Sequence, residues 1–241
     1  MSTRRTYLIT GASKGIGRAL AQRLAAAGHG VVGIARRVQD PDFPGTLVSS
    51  DLSDRQQASD TLEDLCGRFR FDGVINNVGL VRPQPLGEIE LDSFDAVMGV
   101  NLHPAIQATQ AVLPNMREQG WGRVLNVSSL TVLGMPGRTA YASAKAALVN
   151  FTRTWALELA RTGITVNAVA PGPTETELFR ENNPPGSDGE ARYLASVPMD
   201  RFGKPDEIAA AMEFLLGEHS GYITGQTLFI DGGASVGRAA F

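Results

Sequence analysis

Tyr141 and Lys145 stand four residues apart in Tyr-Ala-Ser-Ala-Lys, inside a stretch whose pattern predicts a helix. Four residues is about one helical turn, so the phenol and the ammonium project from the same face. A cation held there favours the phenolate and suits Tyr141 to give or take a proton near neutral pH. Moving a phenol from a pKa of about 10 to about 7 requires about 4 kcal/mol. Unit charges ~4 Å apart at an effective dielectric of ~20 interact by about that much. Towards the N-terminus, Thr10-Gly11-Ala12-Ser13-Lys14-Gly15-Ile16-Gly17 directly follows a short apolar run. Glycines between a strand and a helix allow a tight turn, and the helix N-terminus then offers free N–H groups to a pyrophosphate. Proton chemistry beside a dinucleotide seat means hydride transfer to or from a carbonyl.

The elements that must position these groups follow from periodicity. Tyr7–Thr10, Val31–Ala35, Thr46–Ser49, Gly73–Asn76, Arg123–Ser128, Thr165–Val169 and Thr227–Ile230 read as strands. Helical patterns fall between them at Ile16–Ala27, Asp54–Phe69, Phe94–Arg117, Thr139–Ala160 and Pro205–Leu216. This alternation predicts an α/β, Rossmann-like doubly wound sheet of about seven parallel strands with helices on both faces. Residues 1–241 are read as a single NAD(P)-binding domain. Gly172 to about Asp200 is expected to be irregular, a substrate loop.

Composition narrows the function. The 241 residues are 43% hydrophobic, ample for a core, and no charged or Ser/Gly-rich linker divides them. A net charge of -3 gives no basic footprint for nucleic acid. No run approaches the ~18 apolar residues that would span a bilayer, and the first apolar run is too short for a signal peptide. Cys66 is the only cysteine, so no intrachain disulfide forms and a cytoplasmic home is expected. Its neighbours Leu62, Leu65 and Phe69 make it a buried structural thiol rather than a nucleophile. His29, His103 and His219 lack metal-ligand spacing, and no metal is expected.

Further residues bear on the cofactor and the chemistry. The second strand ends Ile34-Ala35-Arg36-Arg37, with no carboxylate to select the ribose hydroxyls of NAD. Arg36 and Arg37 suit a 2′-phosphate, with Lys14 adding charge; the bland alternative is solvated surface arginines. Asp51 bonds the adenine amino group or merely caps the next helix. Asn77, Val78 and Gly79 follow a central strand on the side where open sheets bind ligands. Asn101 lies mid-helix, an odd place for a residue that prefers caps. Ser128 and Ser129 end the Val124–Val127 strand, in which Asn126 could equally be plain sheet chemistry.

Taken together, the chain resembles the short-chain dehydrogenase/reductase family, and more particularly its 3-oxoacyl reductases. The likeness runs through Thr10–Gly17, Asn76–Gly79, Asn101, the serine pair, Tyr141-x-x-x-Lys145, Pro171-Gly172 and the terminal Gly225-Gln226…Asp231-Gly232-Gly233. It implies that Tyr141 is the general acid or base, with Lys145 lowering its pKa and bonding the nicotinamide ribose. Asn101 would anchor a relay water and a serine would bond the substrate oxygen. Cofactor contacts would come from Gly11, Ser13, Lys14, Gly15, Ile16 and Gly17 in the turn. Arg36, Arg37, Asp51 and Leu52 would follow the next two strands, and Asn77, Val78 and Gly79 the fourth. Tyr141 and Lys145 would join them, while Pro171, Gly172, Thr174 and Thr176 would meet the nicotinamide carboxamide. NADP(H) is expected, with NAD(H) possible.

Departures from the family pattern matter too. Val78 replaces the usual alanine. Ser129 precedes Tyr141 by twelve residues where thirteen is common, which would point to Ser128; the strand position favours Ser129, because loops absorb deletions more easily than strands change face. Trp121 and Thr162 stand near positions where reductases of carrier-bound acyl chains present arginine, and the protein's negative charge does not steer an acidic carrier. A small free or coenzyme-linked ketone, or its alcohol, is therefore expected. Leu178, Phe179, Tyr193 and Leu194 should cover it, opposite Leu133, Met135 and Val81. The alternatives are an NAD-dependent secondary-alcohol dehydrogenase and a non-catalytic nucleotide-binding protein. The resemblance also implies a homo-tetramer or homo-dimer built on the family's long fourth and fifth helices and C-terminal strand, with the tail Ala234–Phe241 joining it or fraying.

Overall fold

Short strands that are apolar on both sides must be covered on both sides. The computed structural model describes residues 3–38 and 40–237 and shows that arrangement. The strands are β1 (Thr6–Thr10), β2 (Gly30–Ala35), β3 (Thr46–Ser49), β4 (Gly73–Asn76), β5 (Gly122–Val127), β6 (Ile164–Pro171) and β7 (Thr227–Ile230). They form one parallel sheet in the order β3-β2-β1-β4-β5-β6-β7. Successive β1 residues serve opposite cores: Tyr7 and Ile9 join Leu20, Leu24, Ile208 and Met212 on one face, while Leu8 joins Leu62, Leu65, Val112 and Met116 on the other.

The helices are α1 (Gly15–Ala26), α2 (Arg55–Arg68), α3 (Leu91–Gln119), α4 (Thr139–Leu159), α5 (Glu177–Asn182), α6 (Asp188–Leu194) and α7 (Pro205–Leu216). α1 buries Gly17, Leu20, Ala21 and Leu24, an i, i+3, i+4, i+7 stripe. α7 begins with Pro205 at its first turn, where the missing N–H costs nothing, and Glu207 accepts from the Lys204 N–H at 2.8 Å. The order β3-β2-β1-β4 changes direction between β1 and β4, which opens a crevice at the carboxyl ends of those strands.

The segment after Gly172 departs from the expected irregular loop, for α5 and α6 lie within it. Thr176 caps α5 by accepting from the Phe179 N–H at 3.1 Å, and Ser187 caps α6 by accepting from the Glu190 N–H at 3.2 Å. Ser187-x-x-Glu190 is a helix-start signature, but six or seven residues are too few for a periodic apolar stripe to disclose them. Of the terminal segment, Arg238 to Phe241 lies outside the described residues. No described helix is long and apolar enough to cross a membrane.

Candidate active site

The glycine turn is tied to the end of β4 through Thr10. Its Oγ1 donates to the Ile75 carbonyl at 3.2 Å and accepts from the Asn77 and Val78 N–H groups at 3.0 and 3.2 Å. Asn77 Nδ2 donates to the carbonyls of Thr10 and Gly11, at 3.1 and 2.9 Å. Asn77 therefore shapes the turn with its side chain. Gly11 has φ +68°, and a Cβ on Gly17 would fall 2.4 Å from the Gly11 oxygen, so neither position accepts a side chain without rearrangement. This backbone-lined cradle above the α1 N-terminus fits a pyrophosphate. Ser13, Lys14, Gly15 and Ile16 complete it.

Beyond β2 and β3, Arg36 and Arg37 are exposed and make no ion pair among the described residues. Asp51 accepts from the Ser53 hydroxyl and N–H at 2.7 and 3.0 Å, and those bonds hold its carboxyl below the usual range, with Arg36 adding a smaller pull. The α2 cap is Asp54, which accepts from Gln56 and Gln57, so the capping alternative for Asp51 is not what the chain uses. Leu52 is buried in the core and leaves only backbone to a ligand.

The long segment leans back over the cradle. The Thr176 methyl lies 3.3 Å from where a Gly15 Cβ would stand, and Lys14 pairs with Glu181 of α5 at 3.5 Å. Lys14 is thus partly engaged by the loop. Pro171 ends β6 against Ile230, the Gly172 N–H donates to the Ile230 carbonyl at 3.0 Å, and Thr174 Oγ1 donates to the Gly172 carbonyl at 2.9 Å. Phe179 packs edge-on to Tyr193, whose hydroxyl donates to Met135 Sδ at 3.5 Å. The loop and the opposite wall do meet.

Chemistry-bearing groups converge beyond β4 and β5. Lys145 is 2% exposed and donates to the Val127 carbonyl at 2.8 Å, and burial lowers its pKa to about 8. Asn101 Nδ2 donates to the carbonyls of Leu80 and Val97, at 2.9 and 2.8 Å, but its buried Oδ1 has no partner. Gly79 sits between them: a Cβ there would lie 3.1 Å from Asn101 Oδ1 and 3.4 Å from Lys145 Nζ. Lys145 Nζ is 5.5 Å from the centre of the Tyr141 ring. Ser129 faces the Tyr141 phenol and also accepts from the Thr131 N–H at 3.2 Å. Ser128 Oγ is buried and donates to the Lys145 carbonyl at 3.0 Å. Asn126 donates to Thr152 and accepts from Asn76, both at 2.8 Å, which is the plain structural alternative.

One expectation needs correction. Burial of the Tyr141 phenol outweighs the downward pull expected of a neighbouring cation and pushes its pKa up to about 12, with Ser129 and then Arg138 working downward. The ammonium lies over the ring, engages a carbonyl, and gives up part of its own charge on burial. Sequence spacing puts two side chains on one face and is silent about desolvation. Arg138 was also missed, because a single residue ahead of a helix carries no pattern. Cys66 is half-buried and burial raises its thiol pKa, which leaves it a poor nucleophile. No His/Cys/Asp/Glu cluster fit for a metal occurs among the described residues.

Comparison with known proteins gives a consistent picture. A family model described as enoyl-(acyl carrier protein) reductase matches residues 11–235. The 3-oxoacyl-[acyl-carrier-protein] reductase of Thermotoga maritima is 39% identical over 238 residues, 94% of this chain and 96% of that protein. A solved short chain dehydrogenase/reductase family protein superimposes with a TM-score of 0.89 at 30% identity, covering 98% of this chain and all of its own. A putative NAD(P) dependent gluconate 5-dehydrogenase from Beutenbergia cavernae, solved with NADP, gives 0.91 at 31% identity over 98% and 99% of the two chains.

Proposed function

This chain belongs to the short-chain dehydrogenase/reductase family, and on that premise we propose that it reduces a small ketone to a secondary alcohol with NADPH. As a family member it is an NAD(P)-binding oxidoreductase acting on CH–OH groups. The observation that carries the proposal is the convergence of Asn101 Oδ1, Lys145 Nζ and Gly79 beside Tyr141 and Ser129. When bound, the nicotinamide supplies or accepts the hydride. The cradle from Gly11 to Gly17 would hold its pyrophosphate, and Arg36 and Arg37, unpaired among the described residues, would hold a 2′-phosphate.

The residues then have distinct tasks. Tyr141 gives its proton to the carbonyl oxygen as charge develops there, and Ser129 donates a hydrogen bond to the same oxygen. A phenol held protonated is competent as an acid, the form that reduction requires. Lys145, with a pKa of about 8, is poised to replace that proton near neutral pH. The orphaned Asn101 Oδ1 suits a water that links Lys145 to solvent. Ser128, spent on the Lys145 carbonyl, is the less suitable serine.

For the substrate, the relatives named as 3-oxoacyl reductases support a 3-oxoacyl-type ketone. The protein's -3 charge and the departures at Trp121 and Thr162 favour a free or coenzyme-linked one over a carrier-bound chain. A cytoplasmic homo-tetramer or dimer is the assembly this reading carries. The test is Tyr141→Phe: NADPH binding, followed by nicotinamide fluorescence, stays intact while turnover of a β-keto ester falls about 10³-fold. Turnover surviving the change would reject the site. In the same titration the wild type binds NADPH more tightly than NADH, and Arg36→Ala weakens NADPH alone.

A further inference from the structure

Arg138 stands immediately before α4 and three residues ahead of Tyr141, so the two share a side of the helix start. Its Nη2 donates to the Tyr193 hydroxyl at 3.4 Å. Its Nη1 is fully buried and has no partner, and no carboxylate pairs with the guanidinium among the described residues. The neighbouring arginine of the loop is treated differently: Arg180 is held by both Glu175 and Glu190. A buried N–H of a cation left without an acceptor is costly unless something arrives to take it. A carboxylate suits this guanidinium best, because it matches the planar fork and the charge, and Arg138 stands three residues from Tyr141 and pulls on its phenol.

We propose that Arg138 binds a carboxylate on the substrate, so that the ketone reduced at Tyr141 belongs to a short oxo acid. This inference rests on the ketone-reductase reading above and narrows its substrate class. Arg138 stands at the start of α4 three residues before Tyr141, so its flexible side chain and the phenol can address the two ends of a molecule whose carbonyl and carboxylate are separated by one or two carbons. Tyr193, which the loop lays against both Arg138 and Met135, would close over the anion. A neutral ester or thioester offers the fork an uncharged carbonyl oxygen in place of a two-oxygen carboxylate, which makes the complex weaker.

The full-length protein with NADPH is assayed on acetoacetate and on methyl acetoacetate, which differ only in the carboxylate. The wild type prefers the acid in kcat/KM. Arg138→Gln lowers the acid-to-ester ratio about tenfold to a hundredfold, mainly through KM for the acid, and Arg138→Lys restores part of it. A ratio unmoved by Arg138→Gln, or a wild type that prefers the ester, would overturn the proposal; a role confined to tuning Tyr141 would depress both substrates alike. If neither ketone is turned over, the reductase reading fails, and calorimetry of 3-hydroxybutyrate binding to the NADP-loaded protein decides the inference separately. Weaker binding in Arg138→Gln supports the anion site, and equal binding rejects it.

Discussion

The two ends of the parallel sheet each bury a cation, and they treat it in opposite ways. At the amino-terminal edge, Arg123 is 3% exposed and spends its guanidinium on three carbonyl contacts: Nε and Nη2 reach Gly217 at 3.2 and 3.1 Å, and Nη1 reaches Gly122 at 2.8 Å. Its plane lies 4.3 Å from the centre of the Trp121 ring, which Arg5 also covers at 3.9 Å. Tyr7 beside it donates to the Leu216 carbonyl. Together they satisfy the carboxyl end of α7, where cations are favoured. At the carboxyl edge, Lys145 is as deeply buried but has a single carbonyl acceptor, with the orphaned Asn101 oxygen nearby. Full satisfaction makes a clamp, whereas an incomplete set of partners leaves a cation free to exchange protons and to receive a ligand.

Removing the incompletely satisfied cation breaks this comparison most sharply. Lys145→Met is expected to cost about 10³-fold or more in turnover and yet to raise thermal stability. Burial lowers the lysine pKa from 10.5 to about 8, so the native state carries a desolvation cost of about 3 kcal/mol below pH 8; a net gain of about 1–3 kcal/mol is expected once lost contacts are counted. The sign follows from proton binding. Between pH 8 and 10.5 the unfolded chain holds the lysine proton and the folded chain does not, so wild-type stability rises with pH. The advantage of the variant should therefore shrink over that window. Denaturant melts at pH 7 and pH 10 measure it, and a pH-independent difference would remove desolvation as the cause.

The opposite result is expected at the other end. Arg123→Met leaves the Gly217 carbonyl with the Ser220 hydroxyl as its remaining side-chain donor and strips one face of Trp121. Stability should fall by about 2–4 kcal/mol, while kcat per folded molecule stays near wild type because no atom of the catalytic corner is touched. Urea titration, with activity normalised to the folded fraction, reads both. A variant as stable as wild type would mean that the stacked arginines do not anchor α7.

The sequence disclosed one end of the sheet better than the other. The carboxyl edge was legible because glycines at Gly11 and Gly17 and a one-turn Tyr141–Lys145 spacing are local patterns, each tied to one strand–helix junction. The strand assignments held to within two residues at each end, because a sheet buried on both faces writes continuous apolar runs. The Arg5–Trp121–Arg123 cluster was invisible, since the Asp72 carboxylate that pairs with Arg5 and the Gly217 carbonyl that accepts from Arg123 lie far along the chain from them. Burial itself was equally out of reach, so the direction of the Tyr141 shift came out wrong while the pairing of Tyr141 with Lys145 on one helix came out right. Arg138 falls between these cases: its position is local, but its missing partner is a property of the folded surroundings.

The serine pair offers the finest test of satisfied against unsatisfied groups, because the two residues are adjacent and chemically identical. Ser128 Oγ is committed to the Lys145 carbonyl, which ties α4 to the end of β5. Ser129 shares its hydroxyl between the Thr131 N–H and the phenol, and keeps the capacity to bond a substrate oxygen. Ser129→Ala should therefore lower turnover about a hundredfold with little change in melting temperature. Ser128→Ala should cost about 1 kcal/mol of stability, the worth of one buried hydrogen bond, and only a few-fold in rate through a slight shift of Lys145. Parallel measurements of kcat and of the denaturation midpoint separate the two. Exchange of the outcomes would assign the substrate oxygen to Ser128, in line with the thirteen-residue spacing common in the family, and would mean that α4 moves enough on ligand binding to release the Ser128 bond.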